Sequence, residues 1–472
     1  MRKPQRLIGF AEFENISFPF EFDEQHYLLN LYPPDQNTQA KYNSINHLFN
    51  KYAKLTEATN EWIPFLEIQG TSSERYQVSF HVSSNYVSYQ GFLRFNVAWF
   101  FIWEKQFPKD SIRGLHIQGT EIDAFFPPDS IFKYDIKSKD SCHSIERLTL
   151  TSEKQGEVTG GSFQISDHLN AKLYFLSYPT FLRSQSPVSS QSRMTILFSR
   201  VIDLSTLIQV EECLRRFFIY IAGRTNVSLD TYEIFTLDKD NKRYSYGLLS
   251  FPQRFLEDSE QQIKEQIIDF SILGVKTADL LQIILSEQIG YQHLPSSIDD
   301  KRHYSVSRFI LILAAFEREF RNIYGTDKGR SERFSNVKTE IVRLVKEYQS
   351  AQIGKNKEYA MDLLKGIKNF NLGYWFNVEY ALKDCRDIME RFTVRKYGTP
   401  HKSYEELIAE VSRRVGRLRN NLAHDNLDWS FEAIQISDIK VVEELLYAIR
   451  LKQIGLSTDK IQNAIKKLFQ EI

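Results

Sequence analysis

Cysteine is scarce in this 472-residue chain, which contains only Cys142, Cys213 and Cys385. Three cysteines this far apart suit a reducing compartment, and they predict neither a disulfide framework nor a cysteine-bound metal. Long apolar runs are also missing, because no stretch approaches the roughly 18 apolar residues of a membrane span. The N-terminus lacks the apolar core of a signal peptide. We therefore expect a soluble, cytoplasmic protein without membrane contact.

The common catalytic motifs are absent as well. The sequence has no GxSxG elbow, Walker A loop, HExxH helix, CxxC pair or GxGxxG turn, so it does not indicate the enzyme classes that depend on them. Its ten histidines are scattered, and no two are spaced to bind one metal ion from the same helix face. The sequence thus predicts no metal and no cofactor.

One short segment contains the residue types of a magnesium-dependent nuclease. "PPDSIFKYDIK" (residues 127–137) has Asp129, Asp135 and Lys137 in the order of a PD-(D/E)xK site. Such a site places both carboxylates on one magnesium ion and usually takes them from two adjacent strands. Five intervening residues are too few for a turn and a returning strand. The segment therefore favours a strand edge after a turn, and a magnesium-dependent nuclease is the weakest alternative.

Charge is balanced over the whole chain but divided unevenly along it. The formal net charge is zero, yet residues 301–472 contain 31 Lys and Arg against 23 Asp and Glu. The C-terminal part is therefore formally +8 and the remainder −8. This asymmetry is typical of a polyanion-binding domain joined to an acidic one, and equally of chance unevenness between two solvated surfaces.

The first half of the chain has the two-residue period of β-strands. "YQVSFHVSS" (76–84), "IERLTLTSE" (145–153) and "RMTILFSRV" (193–201) alternate in side-chain character and are separated by turn-forming segments. One helix is predicted at residues 207–223, where the apolar spacing becomes helical. Residues 1–255 are therefore predicted to form a β-rich domain, sandwich-like or barrel-like, with one added helix.

The remainder of the chain has helical periodicity. Residues 256–300 are predicted to form a helical connector, and residues 301–472 an all-α bundle. The fold class is therefore α+β. The predicted helical segments of the bundle are residues 304–325, 331–354, 376–392, 402–424, 438–455 and 459–472. Ser403 and Glu406 have the S-x-x-E spacing of a capping box at the start of the fourth segment.

The segment "RLRNNLAHDN" (417–426) combines groups suited to metal-free RNA cleavage. A histidine such as His424 can move protons between the ribose 2′-OH and the leaving oxygen. A guanidinium such as that of Arg419 can stabilise the charge that develops on the phosphate. Asn420 shares a helix face with His424, and arginines upstream add positive charge for phosphate contacts. These upstream arginines are Arg413, Arg414 and Arg417.

The same residues also have an ordinary structural explanation. Arg419 could pair with a carboxylate such as Asp425 or Glu410, and a histidine near a helix C-terminus is electrostatically favourable. Spacing alone favours this explanation over a catalytic one.

A resemblance to a known family changes that balance. The all-α C-terminal segment, with "RNNLAH" following an earlier helix that contains "LAAFEREF", resembles a HEPN domain. The family motif R-(N/D/H)-x3–5-H matches Arg419, Asn420 and His424. With a β-rich region in front, the chain is similar to the ApeA-type anti-phage HEPN proteins of bacteria, although the N-terminal likeness rests on architecture and general pattern.

The resemblance implies a metal-independent endoribonuclease whose catalytic site is completed across a homodimer. It also implies that Glu317 is the acidic residue near the motif arginine. The expected partner is RNA, with tRNA among the candidate targets, and a phage-derived trigger would release an activity that the N-terminal domain senses for or restrains. A non-catalytic HEPN module for dimerisation or partner binding is the main alternative.

Overall fold

The computed structural model divides the chain into two compact units, Met1–Leu285 and Ser286–Ile472. The division lies within the segment that the sequence predicts as a connector, and the helices before it belong to the first unit. None of the helices in the described part of the chain is both long and apolar enough to cross a bilayer. The structure describes residues 7–43, 66–82, 87–89, 91–128, 132–138, 145–152, 156–181, 188–229, 231–252, 258–286, 288–325, 332–369, 374–398, 402–424 and 431–470.

The first unit is built on antiparallel strands. Thirteen of its described strands form one sheet, and two more, β9 and β10, form a separate hairpin. The strands are β1 (Leu7–Phe13), β2 (Ile16–Asp23), β3 (Leu28–Leu31), β4 (Leu66–Ser72), β5 (Tyr76–Val82), β6 (Val87–Tyr89), β7 (Phe92–Glu104), β8 (Ile112–Ile117), β9 (Phe132–Ser138), β10 (Ile145–Ser152), β11 (Val158–Ser166), β12 (Leu169–Phe181), β13 (Val188–Ile202), β14 (Thr231–Leu237) and β15 (Arg243–Ser250).

Six strands close into a barrel in the order β7-β3-β2-β1-β4-β5, because β5 pairs again with β7. The interior follows from alternation: Phe18, Phe20 and Phe22 of β2 are buried, whereas the residues between them are not. Gly9 lets β1 approach β4 closely, since a Cβ there would lie 2.1 Å from the Thr71 carbonyl oxygen. The predicted β-rich, barrel-like domain is confirmed.

The rest of the sheet extends from β7 in the order β15-β14-β8-β13-β12-β11. The predicted helix is present and has caps at both ends: the Asp203 side chain accepts a hydrogen bond from the Thr206 amide, and Gly223 adopts a left-handed conformation with φ 61°. The helices among the described residues of this unit are α1 (Gln36–Asn43), α2 (Thr120–Phe125), α3 (Leu204–Ala222), α4 (Glu260–Glu265), α5 (Phe270–Leu273) and α6 (Lys276–Leu285).

The second unit is helical throughout its described residues, apart from turns and loops. The α+β fold class is thereby confirmed. After a short 3₁₀ turn at Asp299–Arg302, its helices are α7 (Val306–Tyr324), α8 (Glu332–Ser350), α9 (Lys355–Asn369), α10 (Tyr374–Asp384), α11 (Arg386–Tyr397), α12 (Tyr404–His424), α13 (Ala433–Gln453) and α14 (Thr458–Phe469).

Two features of this unit differ from the predicted segments. The sequence analysis does not predict α9, whose apolar residues are mostly exposed, with Ala360 and Leu364 the buried ones among its described side chains. The single helix predicted over residues 376–392 is instead two helices that break at Cys385, whose backbone (φ −100°, ψ 25°) leaves the helical conformation.

Helix α13 forms the centre of the second unit. From Val441 to Leu451 all of its side chains are buried, including charged ones. Four charged side chains of α13 are only 1–2% exposed, and each forms an ion pair with another helix. The pairs are Asp438 with Arg414 of α12, Glu443 with Arg308 of α7, Glu444 with Lys396 of α11 and Arg450 with Glu319 of α7. These pairs connect three helices to the central one.

Candidate active site

The candidate motif lies at the C-terminal end of α12. The predicted capping box begins this helix: the Ser403 amide donates to the Glu406 carboxylate over 3.0 Å, and the Glu406 amide donates to Ser403 Oγ over 3.3 Å. The helix ends at His424, the last residue described before residues 425–430. An apolar face anchors the helix in the core. Its buried residues are Leu407, Ile408, Val411, Val415 and Leu418.

Arg419 faces an acidic residue of α7. Arg419 Nη2 lies 3.8 Å from Glu317 Oε2, and the Arg321 guanidinium approaches the other oxygen of Glu317 at 3.4 Å. The Arg419 and Glu317 side chains are 42% and 39% exposed. An ion pair this long and this exposed contributes little to stability because water screens it. The guanidinium of Arg419 is therefore held near Glu317 while remaining open to solvent.

An aromatic residue of α10, Tyr374, lies half-buried near this pair. The Tyr374 hydroxyl donates to the Leu313 carbonyl over 3.0 Å. Burial raises the pKa of Tyr374 well above its usual value, and the charge of Glu317 raises it further while that of Arg419 lowers it. Tyr374 therefore stays neutral near Glu317 and Arg419.

Close packing of α10 on α12 is made possible by a glycine. A Cβ at Gly416 would lie 2.8 Å from the Cβ of Trp375, so a larger residue would push the two helices apart. Trp375 remains 40% exposed and forms an apolar surface beside the end of the motif helix. An isolated glycine inside a helical pattern is a sequence signal for such an approach.

The exposed face of α12 contains part of the predicted phosphate-binding set. Arg413, Arg417 and Asn420 are exposed, and their spacing places them along one side of the helix. The backbone position of His424 continues the same row, four residues after Asn420. The structure thus aligns two arginines and an amide with the position of the motif histidine.

Arg414 does not belong to that face. Its Nε and Nη2 donate to the two carboxylate oxygens of the buried Asp438, each over 2.8 Å. These hydrogen bonds raise the pKa of Arg414 above its ordinary value. This bidentate pairing corrects the grouping of Arg414 with Arg413 and Arg417, because its guanidinium holds α12 to α13 instead of facing solvent.

Arg419 and His424 occupy different sides of the helix. Five residues advance an α-helix by about 500°, which leaves their Cα positions about 140° apart around the axis. One copy of α12 therefore does not present both residues on a single face.

The carboxylates named in the structural explanation of Arg419 have other positions. Glu410 accepts hydrogen bonds from Lys402 over 2.7 and 2.8 Å, and Asp425 lies outside the described residues. Glu317, on a different helix, takes the place of these local partners.

The magnesium-site alternative falls largely outside the described region. Asp129 is not described, and Asp135 and Lys137 lie on β9, whose Asp135 is opposite Thr149 of β10. Among the described residues no three His, Cys, Asp or Glu side chains are grouped so that they could hold a metal ion.

Searches against family models, curated proteins and solved structures find no match to this chain. Sequence reasoning missed three residues near the site. Arg321 pairs with Glu317, Tyr374 has a pKa that Glu317 and Arg419 influence, and Trp375 packs at Gly416 of α12.

Proposed function

We propose that the protein is a metal-independent endoribonuclease of the HEPN type. The observation that carries this proposal is the solvent-open guanidinium of Arg419, held near Glu317, at the end of a helix whose exposed face bears Arg413, Arg417 and Asn420. Exposed guanidinium and amide groups of this kind fit a substrate with a negatively charged phosphate backbone. The match of Arg419, Asn420 and His424 to the HEPN motif supports RNA as that substrate.

The proposed reaction is attack of a ribose 2′-OH on the adjacent phosphorus. The 2′-oxygen forms a bond to phosphorus while the bond to the 5′-oxygen breaks, which gives a 2′,3′-cyclic phosphate and a free 5′-OH. His424 carries the proton, accepting it from the attacking 2′-OH and supplying it to the departing 5′-oxygen. Arg419 stabilises the charge on the non-bridging oxygens. Single-stranded loops are the preferred targets, since a free 2′-OH there can adopt the in-line geometry.

We also propose that two copies of the chain complete one site. The angular separation of Arg419 and His424 on α12 supports this arrangement, because a second copy can place its own motif residues opposite the first. The first unit would sense a phage-derived trigger or restrain the nuclease, as the resemblance to ApeA-type proteins implies. Cys213 and Cys385 are free, buried thiols, which suits the proposed cytoplasmic location.

The test is an RNA cleavage assay in excess EDTA with purified protein and total RNA. Arg419→Ala and His424→Ala are each expected to reduce the cleavage rate by at least about 100-fold. Arg395→Ala, which removes an exposed arginine from α11, is the matched control and should retain full activity. A protein without ribonuclease activity and an inhibited ribonuclease would both leave RNA intact. The assay is therefore run with and without lysate from phage-infected cells.

A cleavage rate that is unchanged by both motif substitutions would contradict the proposal. Activity that requires added Mg²⁺ and disappears in Asp135→Ala would instead indicate the magnesium-dependent nuclease. The second candidate is a non-catalytic HEPN module for dimerisation or partner binding, in which the Arg419–Glu317 ion pair would have only a structural role. That candidate gains if RNA stays intact with the trigger present while the protein still dimerises.

A further inference from the structure

Helices α8 and α9 form a hairpin with an unusually exposed apolar surface. They pack on each other, and within the described chain neither makes more than marginal contact with another helix of the second unit. From Phe334 to Ser350 none of the described side chains of α8 is buried. A nineteen-residue helix whose described side chains are all at least partly exposed gains little from the core of its own unit. Its apolar residues therefore require another explanation.

The exposed apolar residues of α8 follow a regular heptad spacing. Phe334, Val337, Ile341, Leu344 and Tyr348 are separated by three, four, three and four residues, which is the a/d pattern of a coiled-coil seam. Four of them are between 42% and 55% exposed, and Phe334 is partly covered. Because four of the five side chains are this exposed, the seam is accessible to another helix.

The seam borders a groove of about 740 Å³ between α8 and α9. The α9 side of the groove contains Tyr359 and Leu363, each 62% exposed, and Gly366 leaves room at its base. The lining includes one positive and one negative residue, Lys338 and Asp362, and is otherwise uncharged. A neutral apolar groove does not fit a phosphate backbone. It fits an apolar helical surface.

We propose that this hairpin docks against the same hairpin of a second copy of the chain. Six exposed side chains, those of Val337, Ile341, Leu344, Tyr348, Tyr359 and Leu363, form the docking surface. Together they expose on the order of 600 Å² per copy, so two copies would bury about 1,200 Å², the lower end of specific interfaces.

The heptad period makes a second copy the best partner for this surface. In a coiled coil, the side chains at a and d positions of one helix insert between those of a facing helix with the same period. Two copies of α8 have the same period because they are identical. This contact uses α8 and α9 and is independent of the arginine and histidine motif on α12.

The test measures self-association of the full chain by sedimentation velocity over a range of micromolar concentrations. Ile341→Glu places a charge in the centre of the seam and is expected to raise the dissociation constant at least about tenfold. Tyr359→Glu makes the same change from α9 and should have a similar effect. Thr339→Glu adds the same charge on the opposite, exposed side of α8, and it should leave association unchanged.

All three positions are exposed, so circular dichroism should show the same helix content in each variant. The inference is overturned if the wild type remains monomeric over the whole range. It is also overturned if Ile341→Glu associates as tightly as the wild type, or if Thr339→Glu weakens association equally. Hydrogen exchange adds a local readout: amides of α8 should become more protected as the wild-type concentration rises, and those of Ile341→Glu should not.

Discussion

Helices α13 and α8 belong to the same unit and have similar lengths, yet their environments are opposite. Helix α13 is buried along most of its length and has charged side chains in the core, whereas α8 is exposed along its length and has apolar side chains at the surface. In α13 each buried charge has an oppositely charged partner on a neighbouring helix. The contrast teaches that the polarity of a residue alone does not decide whether it is buried. A charged side chain can be buried where a neighbouring helix supplies an opposite charge.

The largest loss of stability is expected when an ion pair of α13 is broken. Glu319→Ala would leave the buried Arg450 without its carboxylate and should reduce the free energy of unfolding by about 3–5 kcal/mol. Glu340→Ala, which removes a partner of Arg343 on the surface of α8, is the control and should cause no measurable change. Urea-induced unfolding followed by circular dichroism measures both. If both substitutions reduced the free energy of unfolding equally, the buried ion pairs of α13 would be no more important than the exposed pairs of α8.

A matched pair of leucines tests the apolar side of the comparison. Leu445 of α13 is fully buried, and Leu445→Ala should cost about 2–5 kcal/mol because a cavity remains. Leu344 of α8 is 50% exposed, and Leu344→Ala should stay within about 0.5 kcal/mol at concentrations where the chain does not self-associate. Thermal and urea unfolding of both variants provides the measurement. A large cost at Leu344 in dilute protein would show that α8 packs more tightly than its exposure indicates.

A smaller effect is expected from pH through His293. Burial lowers the pKa of His293 to about 4, with the charge of Arg308 acting in the same direction and that of Glu443 against it. Below its unfolded pKa of about 6.5 the unfolded chain binds a proton that the folded chain does not. Stability is therefore complete above pH 6.5 and falls as the pH decreases toward 4, by up to about 3 kcal/mol.

The pH prediction is checked by urea unfolding of the wild type and His293→Gln at pH 7 and pH 5. The difference between the two pH values should be smaller in the variant, because glutamine does not titrate. An identical pH dependence in both proteins would exclude His293 as a source of the effect. Exchange protection of the α13 amides then assigns the change to the second unit.

The sequence predicted those parts of the candidate site that depend on local signals. The capping box at Ser403 and Glu406 and the apolar period predicted α12 nearly to its ends, and motif spacing identified Arg419 and Asn420 on it. The resemblance indicated Glu317, and the structure places it 3.8 Å from Arg419. The grouping of Arg414 with the exposed arginines failed, because nothing in the local sequence indicates that Asp438 binds it from another helix.

By itself, the sequence determined the β-rich first half, the helical second half and the helix that contains the motif. Alternation, helical period and caps act within a few residues, so they can be read along the chain. Only the tertiary structure decided the closure of the barrel through β5 and β7, the burial of charge along α13 and the exposure of the α8 seam. All three features depend on which segments, distant in the sequence, pack together in the fold. A charge is buried only where another segment pairs with it, and an apolar surface stays exposed where no segment packs on it.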